Sequence, residues 1–464
     1  MTTTNDRARR PVTEGGEQHV PHVVVIGAGF GGVHAVRALR HAPVAVTLID
    51  RHNFQTFQPL LYQVATAGLN AADVAFPIRG AIRRYGNCRF HHGDVVRIDH
   101  TDRLIHLADG DTIGFDYLIV AAGARAAYFD VPGAEAHAFA LYSLADATRL
   151  RNHILGCIEA ADAHPDRIED GLLTFVVVGA GPTGVEMAGA LFEVCEGIVR
   201  KDFPRLSGET ARVVLIEMRD AVLPALHETS QQYALTALRA RGVDVRFGAT
   251  VAGVEHDQLL LQDGARIATS TVIWAAGVRS EALAELLDSP TSRSGRVKVR
   301  ADLSLTGHPD TFVIGDMADI AAPDGSSHPQ VAQVALQSGQ HAARQVVRRI
   351  NGQAPEPFVY NDRGSMATIG RRAAVAELPS GLRIRGGLGW LAWLLLHLLY
   401  LAGFRNRMSV LLNWTWSYVT HERGPRLIFG SDGTRLAAHD VARPTTRRGH
   451  RRRTPVGRAD HGGS

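Results

Sequence analysis

The chain has 464 residues, 45% hydrophobic and 21% charged, with a net charge of +4. That length suits roughly three domains and supports a sizeable core. Residues 441–464 alone carry seven Arg and one Asp, which leaves −2 for residues 1–440, so the body is near neutral and no nucleic-acid partner is expected. Three scattered cysteines, Cys88, Cys157 and Cys195, exclude a disulfide framework and a zinc pattern, and no metal site is expected. A reducing, cytoplasmic setting follows.

Residues 1–20 are polar, lack an apolar signal stretch and read as a disordered tail. Val23–Ile26 reads as a buried parallel strand, Gly27–Gly32 as a glycine-rich turn and Val33–Arg40 as a helix. In that turn Gly27 permits the sharp bend, Gly29 admits a pyrophosphate and Gly32 lets helix and strand approach. Phe30 and Gly31 complete it. Val44–Ile49 is the next strand, ending on Asp50 and Arg51, and the Asp50 spacing suits a carboxylate that binds ribose hydroxyls. Asp116–Gly123 is a later strand closing on Ala122 and Gly123.

Thr174–Val178, the turn Gly179–Gly184 and a helix from Val185 to about Cys195 repeat the pattern. Gly179, Gly181, Pro182, Thr183 and Gly184 form this second nucleotide turn. Val213–Ile216 ends on Glu217, farther from its turn than usual, and Val194–Gly208 reads as a helical insertion that accounts for the gap. A carboxylate here favours NADH over NADPH, with Arg219 close enough to soften the choice. Thr271–Gly277, ending on Ala276 and Gly277, mirrors the Ile119–Gly123 strand end and suggests duplication. Glu186, just past Gly184, either complements the helix dipole or faces the nicotinamide. Thr311–Asp316 returns to the first unit, where Gly315 and Asp316 are placed to bind a flavin. Two dinucleotide units imply a reductase passing electrons from a nicotinamide to a flavin.

Phe57–Gln63 contains no cysteine, which excludes dithiol chemistry beside the flavin. Val331–Gly339 reads as a helix start that begins with Ala332. Gln333 and Gln337, four apart, share a face and could bond quinone oxygens, or they are two surface amides. Between Arg385 and Arg405 lie 19 uncharged residues, about 28 Å as a helix. Trp390, Trp393, His397 and Tyr400 recur on one face and leucines on the other. A helix lying at a membrane interface is favoured over a span or a buried core or dimer helix. Met408–Thr420 fits strand or helix. The Arg-rich end reads as a solvated tail, with anionic lipid or nucleic acid as the alternative partner.

Together the two turns, Pro59–Gly68, Gly181–Glu186, Trp274–Val278, Gly315–Ala318, Ala332–Gln337 and Met366–Arg372 resemble the type II NADH:quinone oxidoreductases, over roughly residues 22–430. The resemblance implies FAD as cofactor, NADH as donor and a membrane quinone as acceptor. It implies Glu186, Gln333 and Gln337 as catalytic residues, with Arg371 or Arg372 near the quinone. It also favours helix for Met408–Thr420 and a monotopic, peripheral placement on the cytoplasmic face of the cell membrane, and leaves a homodimer open. The expected architecture is α/β. It has an FAD domain in two parts (21–145 and 301–350), an NADH domain between them (146–300), a membrane-anchor region (351–430) and a basic disordered tail (431–464). A soluble NAD(P)H–ferredoxin reductase or diaphorase, and an NADH-sensing flavoprotein that binds a partner, are the rival readings.

Overall fold

The computed structural model describes residues 19–206, 211–420, 424 and 426–429. The N-terminal tail, save its last two residues, and the basic tail lie outside the described residues.

Five segments form a parallel sheet in the order Thr311–Val313, Tyr117–Val120, His22–Ile26, Ala45–Asp50, Cys88–His92. Val23, Val24 and Val25 are fully buried, as a strand covered on both faces requires. Helix α1 (Phe30–Leu39) covers one face through Ala35, Val36 and Leu39. Before the Thr311–Val313 strand joins, the chain builds a second parallel sheet. Its order is Ala138–Ala140, Thr271–Trp274, Thr174–Val178, Arg212–Ile216, Asp244–Arg246. Helices α2 (Leu144–Ala163) and α3 (Pro182–Val194) belong to this unit. The first nucleotide unit is thus interrupted by the second.

The crossings fall earlier in the chain than the sequence suggests. Ala138–Ala140 already pairs in the second sheet, and Leu283, Ala284 and Leu287 are already in the core of the first. A three-residue edge strand carries too little periodicity to be read. The two crossings are joined by an antiparallel ribbon of Ala124–Ala126 with Val278–Ser280. After α3 the chain continues as a π turn at Cys195–Val199 and short turns to Leu206, the insertion ahead of Glu217.

Helix α4 (Ala332–Ile350) lies against α1 so closely that a Cβ at Gly339 would collide with the Gly31 carbonyl. This contact seats the start of α4 over the first glycine turn. Ser365–Gly370, Ala373–Glu377 and Arg383–Arg385 form an antiparallel sheet, followed by helices α5 (Gly386–Tyr400) and α6 (Phe404–Thr420). Buried Asp73 accepts hydrogen bonds from Ser409 at 2.6 Å and Asn413 at 2.9 Å. The Asn406 amide donates to the carbonyls of Ala72, Asp73 and Ala75. Helix α6 is therefore fastened to the first unit, with Trp414 inside and Trp416 outside.

The faces of α5 are placed by packing. Trp393 is 1% exposed and stacks on His397 with centroids 3.9 Å apart, whereas Leu388, Leu391, Leu395 and Leu399 face outward. Periodicity defines two faces of a helix but not which one finds a partner. Tyr62 and Trp414 supply that partner for the aromatic face. Among the described residues no helix is long and apolar enough to cross a membrane.

Candidate active site

The two glycine turns share one geometry. Gly27 lies at φ +95° and Gly179 at φ +100°, and a Cβ at either would collide with the neighbouring strand end, at Ala121 or Ala275. Gly29 and Gly181 face open space and cap α1 and α3 without a capping side chain or an acidic residue in the first turn. Their helix-end N–H groups and dipoles are left for an anion. Asp50 accepts from the Ala28 N–H at 2.6 Å and the His52 N–H at 2.7 Å. Glu217 does the same in the second unit, from Ala180 at 2.8 Å and Arg219 at 3.0 Å. The distance between turn and acid in the sequence does not alter their relation in space, because Arg212–Ile216 still pairs directly with Thr174–Val178.

The remaining residues of the first site converge from three segments. Gly315, at φ +66°, lies against Ala335 of α4, and its N–H is accepted by Ser338 at 3.1 Å. Asp316 follows it, and burial pushes its carboxyl up, opposed by the hydroxyl of Tyr142, which donates at 3.2 Å, and by Arg296. Ala332 and Gln333 open α4, whose N-terminus has no side-chain cap. The Gln333 Oε1 is buried without a hydrogen-bond donor among the described residues. An open cradle, uncapped helix ends and an unsatisfied amide oxygen fit FAD, which brings a diphosphate, a polyol and a polar ring. Phe30 meets Phe57 edge-on at 5.8 Å. Arg51 is exposed and paired with Glu281 at 2.6 Å. Ala122 and Gly123 close their strand beside Tyr142, and Ala276 and Gly277 close the matching strand beside Phe129.

Between α3, the C-terminal sheet and α5 and α6 lies a small cavity of about 50 Å³ that continues into open solvent. Tyr62, Gln63, Glu186, Arg371, Trp393 and Tyr418 are among its lining residues. Gly189 lets α3 approach the Ser365–Gly370 strand, where any Cβ would collide with the Ile369 carbonyl. That close approach presents Glu186 to the Thr368 N–H at 3.3 Å. Burial pushes the Glu186 carboxyl up to about 8, against the Thr368 N–H and the nearby Trp393 indole, which lower it. A helix-dipole effect, typically about 0.3–1 kcal/mol, is too small to keep this group ionised against such burial. Burial thus favours the protonated form of Glu186 far more than the helix end favours the ion.

Gln63 ties the lining together. It accepts from the Trp414 indole at 2.8 Å and donates to the Tyr62 hydroxyl at 2.9 Å. Burial pushes His397 down to about 4, so it is neutral beneath Trp393. Of the two candidate arginines, Arg371 lines the space. Its guanidinium donates to the Ser417 carbonyl at 2.8 Å and lies over the Tyr418 ring. Arg372 is not among the lining residues.

Gln337 is held by a neighbouring loop. It is on the helix as read, but its amide is engaged at both ends with the backbone of Asn361, at 2.9 and 3.0 Å, and it does not line the cavity. A four-residue spacing aligns two side chains on a face. It does not prevent one of them from clasping a neighbouring loop. Tyr62, Gln63 and Tyr142 escaped the reading of individual residues. The Tyr62-Gln63 pair lay within the Pro59–Gly68 run, but Tyr142 carries no local signal.

Comparison with known proteins gives a consistent picture. Residues 21–339 match the pyridine nucleotide-disulphide oxidoreductase family, and residues 363–421 match the NDH2 C-terminal domain. The chain is 38% identical to the type II NADH:quinone oxidoreductase Ndh of Mycobacterium tuberculosis, covering 87% of this chain and 89% of that protein. It is 30% identical to the internal alternative NAD(P)H-ubiquinone oxidoreductase A1 of Arabidopsis thaliana mitochondria, covering 91% and 87%. Its fold is similar to NDH2 from Plasmodium falciparum in complex with NADH, with a TM-score of 0.79 at 19% identity over 89% of this chain and 100% of that one.

Proposed function

The chain belongs to the type II NADH:quinone oxidoreductase family and is an FAD-dependent NADH:quinone oxidoreductase, and we propose the following division of labour among its residues. Bound FAD supplies the chemistry, accepting hydride from NADH and passing two electrons to quinone without ion pumping. The observation that carries the proposal is that two matched glycine turns share a molecule with a cavity lined by a buried carboxyl, Glu186.

Gly27, Gly29, Phe30, Gly31 and Gly32 hold the FAD diphosphate, and Asp50 binds the ribose. Asp316, Gly315, Ala122, Gly123, Ala332 and Gln333 hold its inner part, with Gln333 offering an acceptor oxygen. Gly179, Gly181, Pro182, Thr183 and Gly184 hold the NADH diphosphate, with Ala276 and Gly277 alongside. Glu217 accepts the adenosine ribose hydroxyls and repels a 2′-phosphate. The net reaction takes up one proton from solvent when NADH and quinone become NAD⁺ and quinol. Glu186 holds a proton at its carboxyl near neutral pH and delivers it to a quinone oxygen in the cavity. Arg371 orients the quinone, and the rings of Trp393 and Tyr62 limit water.

The outward leucines of α5 and the exposed Trp416 and Val419 of α6 rest on a bilayer from its cytoplasmic side, as a peripheral attachment that lets quinone reach the cavity. The visible spectrum of the purified protein tests the core of this reading. A flavin band should bleach with NADH and recover with quinone. A colourless folded protein, or bleaching without recovery, would count against it.

A further inference from the structure

Resting on the flavin reading above, we propose that Tyr142 is a positioning residue that holds Asp316 for FAD and ties the second nucleotide unit to the floor of the first. Tyr142 belongs by backbone to the second unit. It follows the edge strand Ala138–Ala140 and immediately precedes α2. Its hydroxyl reaches into the first unit, where it donates to Asp316 Oδ2 at 3.2 Å and accepts from the Ala124 N–H at 3.1 Å. Both ends of that bridge are strand terminations of the flavin site, one just past Gly123 and one just past Gly315.

The ring is held from its own side. Ser143 and Asp146 form a reciprocal cap at the start of α2, and the Tyr142 N–H donates to the same Asp146 carboxylate at 3.4 Å. Gly123 leaves room for the hydroxyl, since a Cβ there would lie 3.5 Å from it.

Tyr142 is the sole protein donor to the Asp316 carboxylate among the described residues. Burial works against ionisation of Asp316, and a donated hydroxyl works for it. An ionised Asp316 with one oxygen fixed by Tyr142 presents the other as an acceptor for a polyol hydroxyl. Without the phenol, Asp316 loses both its orientation and part of its charge. A purely structural tyrosine would instead lower the melting temperature and leave the coupling to Asp316 at zero.

The test is apo-protein reconstitution with FAD, followed by flavin fluorescence, for Tyr142→Phe, Asp316→Asn and the double variant. Tyr142→Phe should raise the FAD Kd about tenfold, the scale of a lost hydrogen bond to a charged group. Adding it to Asp316→Asn should change Kd less than twofold, roughly. Wild-type affinity in Tyr142→Phe, or losses that multiply in full in the double variant, would overturn the proposal. Should Tyr142→Phe not fold, Asp316→Asn decides. A tenfold loss supports the assignment and wild-type affinity overturns it. Wild-type protein that takes up no FAD would instead remove the flavin reading itself.

Discussion

Replacing Glu186 by Gln isolates the cost of keeping an ionisable group beside the cavity. Its carboxyl is moved from 4.5 to about 8, with burial as the main cause. At ~1.4 kcal/mol per unit, that shift is a ceiling of roughly 5 kcal/mol, and water entering the cavity should reduce it to about 2–3 kcal/mol. The sign follows from proton binding. Between the two values the folded chain holds this proton and the unfolded chain releases it, so rising pH favours unfolding. Wild type and Glu186→Gln should therefore differ least near pH 4.5, diverge through neutrality and run parallel above about pH 8, with the variant more stable. Unfolding entropy of about 1 kcal/mol/K for a chain of this length converts the gap to about 2–3 °C. Calorimetry of both holoproteins at pH 5, 7 and 9 reads it directly. The same variant should retain FAD and slow quinone turnover. A melting difference that is flat across pH would refute the buried, protonated state of Glu186, and unchanged kinetics would refute its part in proton delivery.

Gln337→Ala should cost about 1 kcal/mol of stability through loss of the Asn361 clasp and should raise KM for quinone no more than KM for NADH. A selective rise in quinone KM would return Gln337 to the quinone site. Glu217→Gln should raise the ratio of NADPH to NADH kcat/KM by about tenfold, since removing a nearby charge is typically worth a unit of pKa or its equivalent, ~1.4 kcal/mol. An unchanged ratio in steady-state comparison would show that Glu217 does not read the ribose. Leu391→Glu with Leu395→Glu should abolish co-sedimentation with anionic liposomes while leaving NADH–ferricyanide turnover intact. Point changes are needed because α5 also carries buried Trp393, so deleting the helix would open the cavity. Retained sedimentation would place the membrane contact elsewhere.

The sequence was sufficient wherever function depends on local backbone geometry. Gly27 and Gly179 must take a left-handed conformation after a buried strand, and that requirement is written in the adjacent residues. The acids at Asp50 and Glu217 were legible because each ends a strand next to its turn, even with an insertion before Glu217. The interruption of one unit by another was legible too, because the returning strand Thr311–Val313 ends on its own Gly-Asp pair. The helical nature of α5 and α6 also lay within reach of pattern.

Choices between equivalent local solutions needed the tertiary structure. Which side of α5 turns inward was set by Tyr62 and Trp414, distant in the chain. The burial of Glu186 was set by Gly189, which lets α3 close on Thr368. Gln333 and Gln337 are alike in sequence, yet among the described residues one keeps a buried oxygen without a donor and the other is engaged by Asn361. Tyr142 shows the limit most clearly, because its partners come from two other strand ends. Local sequence specifies dihedral preferences and periodic faces, whereas burial and hydrogen-bond partners are properties of chain segments brought together only by folding.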